Sequence, residues 1–108
     1  MQNKLCLGDL ILLIDKPNRF RCLELYKKDK ASIDKAPGSL SKHQAWKGGY
    51  VDHLEETTNF AIWLYNLMNE RRTLPFSISD CLLVLFFHDI EKPFKYDPSK
   101  LIFLNTEN

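Results

Sequence analysis

The sequence predicts an all-α protein, a helical bundle built from one chain of 108 residues. Three observations carry that reading. From Tyr50 to about Glu70 the apolar residues recur with a helical period, about 100° per residue. The apolar run from Cys81 to Phe87 is leucine-rich and follows two serines, Ser77 and Ser79, that suit a helix N-terminus. A buried β-strand competes for so short an apolar run, but no other segment reads as its partner strand.

A chain of this length forms one domain. Hydrophobic residues make up 44% and aromatics 12%, enough for a core and too many for general disorder. Fifteen basic against 14 acidic residues leave a formal charge of +1. That balance argues against broad coating of nucleic acid, although a phosphate-sized basic pocket stays open and nucleic acid is not excluded as a ligand. Cys6, Cys22 and Cys81 are odd in number, far apart and without a CxxC pair, so they read as reduced thiols, two of them in the core. The apolar run Leu10 to Ile14 lies between Asp9 and Asp15, has no small-residue cleavage site after it, and is too short to cross a bilayer. A cytoplasmic protein with no membrane partner is the expectation.

Taken in order, residues 5–15 read as a first short helix, broken at Pro17. Asn18 is expected to cap a second helix from Arg19, which turns Phe20, Leu23 and Leu25 inward. That helix ends in the run Lys27-Lys28-Asp29-Lys30, where cations suit the C-terminus and water. Residues 31–48 are expected to form a long loop, punctuated by Ala36-Pro37-Gly38-Ser39 and Gly48-Gly49. Loops of that length are often functional, and this one gathers Lys42, His43, Trp46 and Lys47, which suits the wall of a site.

On the helix from Tyr50, one face holds Val51, Leu54, Thr58, Ala61, Ile62 and Tyr65. A second sector, also mostly apolar, holds Tyr50, His53, Thr57, Phe60 and Leu64. Only a narrow polar stripe is left, so the helix should be central and covered from two sides, with His53 on a face that becomes buried. Trp46, Phe60 and Trp63 read as packing residues rather than base-stacking platforms. Basic residues Arg71-Arg72 and then Pro75 make the turn. Ser77 or Ser79 caps the next helix, with Asp80 near its positive end, and Cys81 to Phe87 has no polar face, which predicts deep burial. Pro93 is expected to break the chain into a loop at 94–98, with a last short helix over Lys100 to Leu104 and a fraying end.

At the end of the buried helix stand His88 and Asp89, a pair costly to bury unless something compensates them. Taken alone, such a pair is more often structural. Imidazole and carboxylate are also both ligands for a divalent metal, and His53, 35 residues earlier, can meet them across a helix–helix contact. Three such ligands leave coordination positions open for water or a phosphate oxygen.

The ordered set His43-Gln44-Ala45-Trp46-Lys47-Gly48-Gly49-Tyr50-Val51-Asp52-His53, preceded by Ala36-Pro37-Gly38-Ser39 and followed by His88-Asp89-Ile90-Glu91-Lys92, resembles the HD-domain superfamily of metal-dependent phosphohydrolases. The match runs from about residue 36 to about residue 96, in the bacterial and phage branch with HxAxxGGxxxH followed by HDIxK. The resemblance implies an HD-like helical bundle in which His53, His88 and Asp89 are metal ligands. Lys92 corresponds to the lysine that stabilises phosphate or orients the site, and His43 is a phosphate contact or proton donor, ahead of Lys42 and Lys47. The implied cofactor is one divalent ion, Mn, Ni, Mg, Fe or Co, and the implied ligand is a phosphate-containing small molecule or nucleotide. The implied reaction is attack of a metal-activated water on a phosphomonoester or phosphodiester.

Two departures qualify the resemblance. The family draws a further aspartate ligand from a later helix, and after Asp89 this chain offers only Glu91, Asp97 and Glu107, of which Asp97 alone is worth testing. The expectation is therefore an N-terminal part of a larger HD protein, lacking the C-terminal helices. Glu91 also replaces the glycine common at that position. The alternative reading is a catalytically inactive or incomplete HD-like module that binds a nucleotide or a protein partner. Apolar surface left uncovered would favour association of such a module, including as a homo-oligomer.

Overall fold

The computed structural model describes residues 4–38 and 46–95. It is all-α, with no strand among the described residues. Among the described residues six helices follow in order: α1 Leu7–Ile11, α2 Asn18–Lys28, α3 Lys30–Lys35, α4 Gly49–Arg71, α5 Ile78–His88 and α6 Lys92–Lys95. The long α4 is the axis of the bundle, and α1, α3 and α5 pack against it. α2 bridges α1 and α3, and α6 closes onto α3.

The core is small and lies along the first turns of α4. Tyr50 and Leu54 meet Leu7 and Ile11 of α1, Cys22 of α2, Ile33 of α3, and Leu82 and Phe86 of α5, with Ile14 and Ala36 from the connections. Polar side chains of α4 also fasten the N-terminal segment. Asn59 accepts from the Leu5 N–H at 2.8 Å and donates to the Leu5 carbonyl at 2.9 Å, and Glu55 accepts from the Leu7 N–H at 2.7 Å. The segment thereby satisfies its backbone groups without a strand or a longer helix.

Several local expectations need correction. The first helix is shorter than residues 5–15, and Leu12 and Leu13 beyond it are exposed. Asn18 is the first residue of α2 rather than its side-chain cap; Pro17 holds that position and no side chain caps it. Cys22 is the buried residue of α2, Leu23 and Leu25 are half-buried, and Phe20 is exposed beneath the Lys16 ammonium, 5.3 Å from its ring. The expected loop over 31–48 begins instead with α3, whose single buried residue is Ile33. Pro93 does not break a helix; α5 ends at His88, and Pro93 sits inside the short α6, where fixed φ suits a first turn. The short helix expected over Lys100–Leu104 lies outside the described residues.

The two strongest helices are where the periodicity places them. α4 runs one residue beyond each end of the Tyr50–Glu70 reading. α5 opens with a capping box: Ser77 Oγ accepts from the Asp80 N–H at 3.1 Å, and Asp80 Oδ2 accepts from the Ser77 N–H at 3.2 Å. Its burial is shallower than expected, for only Leu82 and Phe86 of the apolar run are fully buried, while Val84 is 67% exposed. The sulfurs are free: Cys22 is buried, Cys81 half-buried and Cys6 exposed.

Candidate active site

The start of α4 is held tightly against the end of α3. Gly48 has φ of 84°, a left-handed conformation that other residues adopt only with strain, so the glycine is needed there. Its N–H donates to the Lys35 carbonyl at 3.2 Å, and the Tyr50 N–H donates to the Ala36 carbonyl at 2.9 Å. Trp46 Nε1 donates to Asp52 Oδ2 at 2.8 Å, tying the approach to the helix it precedes. These bonds satisfy donors that a helix N-terminus leaves over, and they fix the direction in which the first turns of α4 present their side chains.

Tyr50, His53 and Thr57 follow at spacings of three and four, hence on one face of α4. Leu85 and His88 are likewise three apart on α5, and Asp89 is the residue that ends it, at φ −121° and ψ 29°. Between these faces lies a cleft of about 260 Å³ lined by Tyr50, His53, Leu54, Thr57, Leu85, His88 and Asp89. The helical phase thus brings His53, His88 and Asp89 to one cavity.

Their immediate surroundings differ. His53 is half-buried. The His88 side chain is 70% exposed, at the mouth, and its Nε2 lies 3.8 Å from Asp89 Oδ2. The Asp89 side chain is 27% exposed and faces Lys92 Nζ at 3.5 Å. Lys92 donates to the Gly38 carbonyl at 3.0 Å, so its ammonium clamps α6 to the segment after α3 while standing beside Asp89. Lys92 is not among the residues lining the cleft.

The donor set suits a divalent cation in kind, since two imidazoles and a carboxylate are ordinary ligands. In placement it falls short. Among the described residues no group of three or more His, Cys, Asp and Glu side chains is close enough to hold a metal ion. The three groups share the cleft without meeting at one point. His43 and Lys42 lie outside the described residues, as does Asp97; Lys47 is exposed.

Sequence reasoning overlooked Tyr50. It is 2% exposed, and its hydroxyl is buried with no hydrogen-bond partner among the described residues. Burial, then the negative charges of Asp89 and Glu91, push its pKa well above that of an ordinary tyrosine. It therefore remains a protonated donor at neutral pH. A signal was present, because Tyr50 precedes His53 by three residues in the same helical sector.

No family model and no solved structure matches the chain. The chain is similar to a curated protein, the dihydroneopterin 2′,3′-cyclic phosphate phosphodiesterase of Methanocaldococcus jannaschii, 25% identical over 92 residues. The alignment covers 76% of this chain and 37% of that enzyme, so the chain spans little more than a third of its relative's length. No described helix is long and apolar enough to cross a membrane.

Proposed function

We propose that the chain is a phosphoester hydrolase of the HD-domain type, acting on a phosphomonoester or phosphodiester such as a nucleotide. The observation that carries the reading is that His53 of α4, and His88 and Asp89 at the end of α5, line one cleft. Similarity to a cyclic phosphate phosphodiesterase supports it from an independent direction. On this reading His53, His88 and Asp89 hold one divalent cation. When bound, the cation supplies Lewis acidity, drawing charge from a phosphate oxygen and making water more acidic.

The chain's own groups do the rest. Leu54 and Leu85 give the cleft apolar walls, which weaken competition from water and strengthen electrostatic contacts inside. The Lys92 ammonium beside Asp89 offsets carboxylate charge that would otherwise repel a phosphate. In the same proposal His43 is a phosphate contact or proton donor that approaches from the preceding loop.

A second reading keeps the fold and drops the chemistry: a module that binds a nucleotide or a protein partner. The observation favouring it is the absence of a converged ligand group among the described residues. Metal analysis of the purified protein, followed by phosphatase and phosphodiesterase assays with manganese or nickel, separates the two. The hydrolase reading predicts bound metal and turnover, lost on His53→Ala and Asp89→Ala. A protein with neither metal nor turnover is a binding module, and turnover that survives both substitutions removes the site assignment.

A further inference from the structure

Along its later turns α4 carries a bare apolar stripe. Phe60, Trp63, Leu64 and Leu67 are exposed, Phe60 and Trp63 at 59% and 57%. At about 100° per residue these four fall within one arc of about 100°, and so do Glu56 before them and Arg71 after them. Both charged residues are exposed as well. Glu55 and Asn59, which fasten the N-terminal segment, lie outside the arc, so the stripe is a face of the helix turned away from those bonds.

Its size fits an interface. An aromatic side chain presents about 150–250 Å², so the four side chains together leave roughly 400 Å² of apolar surface in water. A stable interface covers about 800 Å² on each partner, and a little over half of that is apolar, roughly 450 Å². The stripe is therefore about what one side of a dimer supplies, with polar neighbours as the rim.

The order of the residues says which partner. Glu56, Phe60, Trp63, Leu64, Leu67 and Arg71 follow at intervals of four, three, one, three and four, which read the same from either end. A second copy of α4, laid antiparallel with the two-fold axis between Trp63 and Leu64, meets this pattern with its own. Phe60 then faces the partner's Leu67, Trp63 the partner's Leu64, and Glu56 the partner's Arg71. Every such contact occurs twice, as a two-fold interface requires, and the assembly closes at two copies. Intervals of three and four are also those that let one helix pack along another. A parallel pairing would set Glu56 against Glu56 and Arg71 against Arg71, and like charges would oppose it.

We infer that the chain forms an antiparallel homodimer through this stripe of α4, with the two Glu56–Arg71 pairs setting its direction. The inference is independent of the hydrolase reading, because no residue of the stripe lines the cleft. Association of this kind depends on protein concentration. In dilute solution the monomer prevails, the stripe stays exposed, and truncating one of its side chains costs little folding stability.

Sedimentation equilibrium of the chain, from low to high micromolar concentration at low ionic strength, tests it. The expected result is a monomer–dimer equilibrium. Trp63→Glu brings two carboxylates together beside the axis and should weaken the dimer at least about tenfold, with unchanged helical circular dichroism. Glu56→Arg and Arg71→Glu should each weaken it about three- to tenfold, and the two combined should restore it. A chain that stays monomeric throughout would overturn the inference, whatever else then covers the stripe, as would assembly that continues past two copies. A dimer indifferent to Trp63→Glu, or a double variant no tighter than the singles, would overturn it as well. The charge reversals fall at exposed positions, so the test stands even if Trp63→Glu does not fold.

Discussion

The two halves of α4 are opposites in what their sequences lead one to expect. Residues 60–68, Phe-Ala-Ile-Trp-Leu-Tyr-Asn-Leu-Met, are far more apolar than residues 50–58, Tyr-Val-Asp-His-Leu-Glu-Glu-Thr-Thr. Yet the buried residues of the helix are Tyr50, Leu54 and Thr58, all in the polar half, and Gly49 just before it. In the apolar half Phe60, Trp63, Leu64, Leu67 and Met68 are exposed. The difference lies in the supply of partners. α1, α3 and α5 supply the core around Tyr50 and Leu54. Late in the helix the half-buried Ile62 still reaches that core, but the Phe60–Trp63 rings at 5.9 Å and Tyr65, donating to the Phe76 carbonyl at 2.7 Å, make contacts close in sequence. Polar side chains in a buried half need a reason to be there, and here the reasons can be named: Glu55 and Asn59 hold the N-terminal segment, and Tyr50 and His53 face the cleft.

Single substitutions can break this comparison. The largest effect should come from Leu54→Ala, which opens a void between α1, α4 and α5 and should cost about 2–5 kcal/mol. Leu67→Ala, thirteen residues later in the same helix, should cost no more than about 0.5 kcal/mol, because Leu67 is 45% exposed. Equal losses in urea denaturation would mean that the late half of α4 is covered in solution. Next in size is Asn59→Ala. It leaves the Leu5 N–H and carbonyl without their partners, at a cost of about 1–3 kcal/mol, and should speed amide exchange around Leu5 while α5 stays protected. The smallest effect is expected from pH. Burial pushes the Cys22 thiol up, and burial with the Asp34 carboxylate pushes the Tyr26 phenol up, so both are held neutral by the fold. For acids raised in this way stability is complete below the unfolded-state values, about 8.5 and 10, and is lost as pH rises through the folded ones. Urea midpoints should hold steady to about pH 8 and decline above it, and Cys22→Ala should make the decline shallower without abolishing it, because burial raises the Cys81 thiol in the same way.

What was legible in the sequence follows from the same physics. α4 and α5 were readable because period, capping serines and a stop at Pro75 agree within short windows. The sharing of a cleft by His53, His88 and Asp89 was readable because helical phase is a local property. α3 was not, since Lys-Ala-Ser-Ile-Asp-Lys carries one apolar anchor, Ile33, and is stabilised by what it packs against. Nor was the bare late half of α4, or the shallow burial of Val84 and Phe87, because an apolar pattern states a need for cover and not whether cover exists. The Tyr50 hydroxyl, buried without a partner among the described residues, belongs to this second kind, as does the shortfall in convergence of the three candidate ligands. Both depend on ångström-scale placement between elements distant in sequence.

The central claim is that the cleft between α4 and α5 is a cation-dependent phosphoester-hydrolysing site. The most direct test follows hydrolysis of a generic phosphodiester against Mn²⁺ concentration, for the natural protein and for His53→Ala, with circular dichroism to verify that both are helical. The account predicts saturable Mn²⁺-dependent turnover, reduced on the order of 100-fold or more by the substitution. Turnover indifferent to Mn²⁺, or equal in the two proteins, would contradict it.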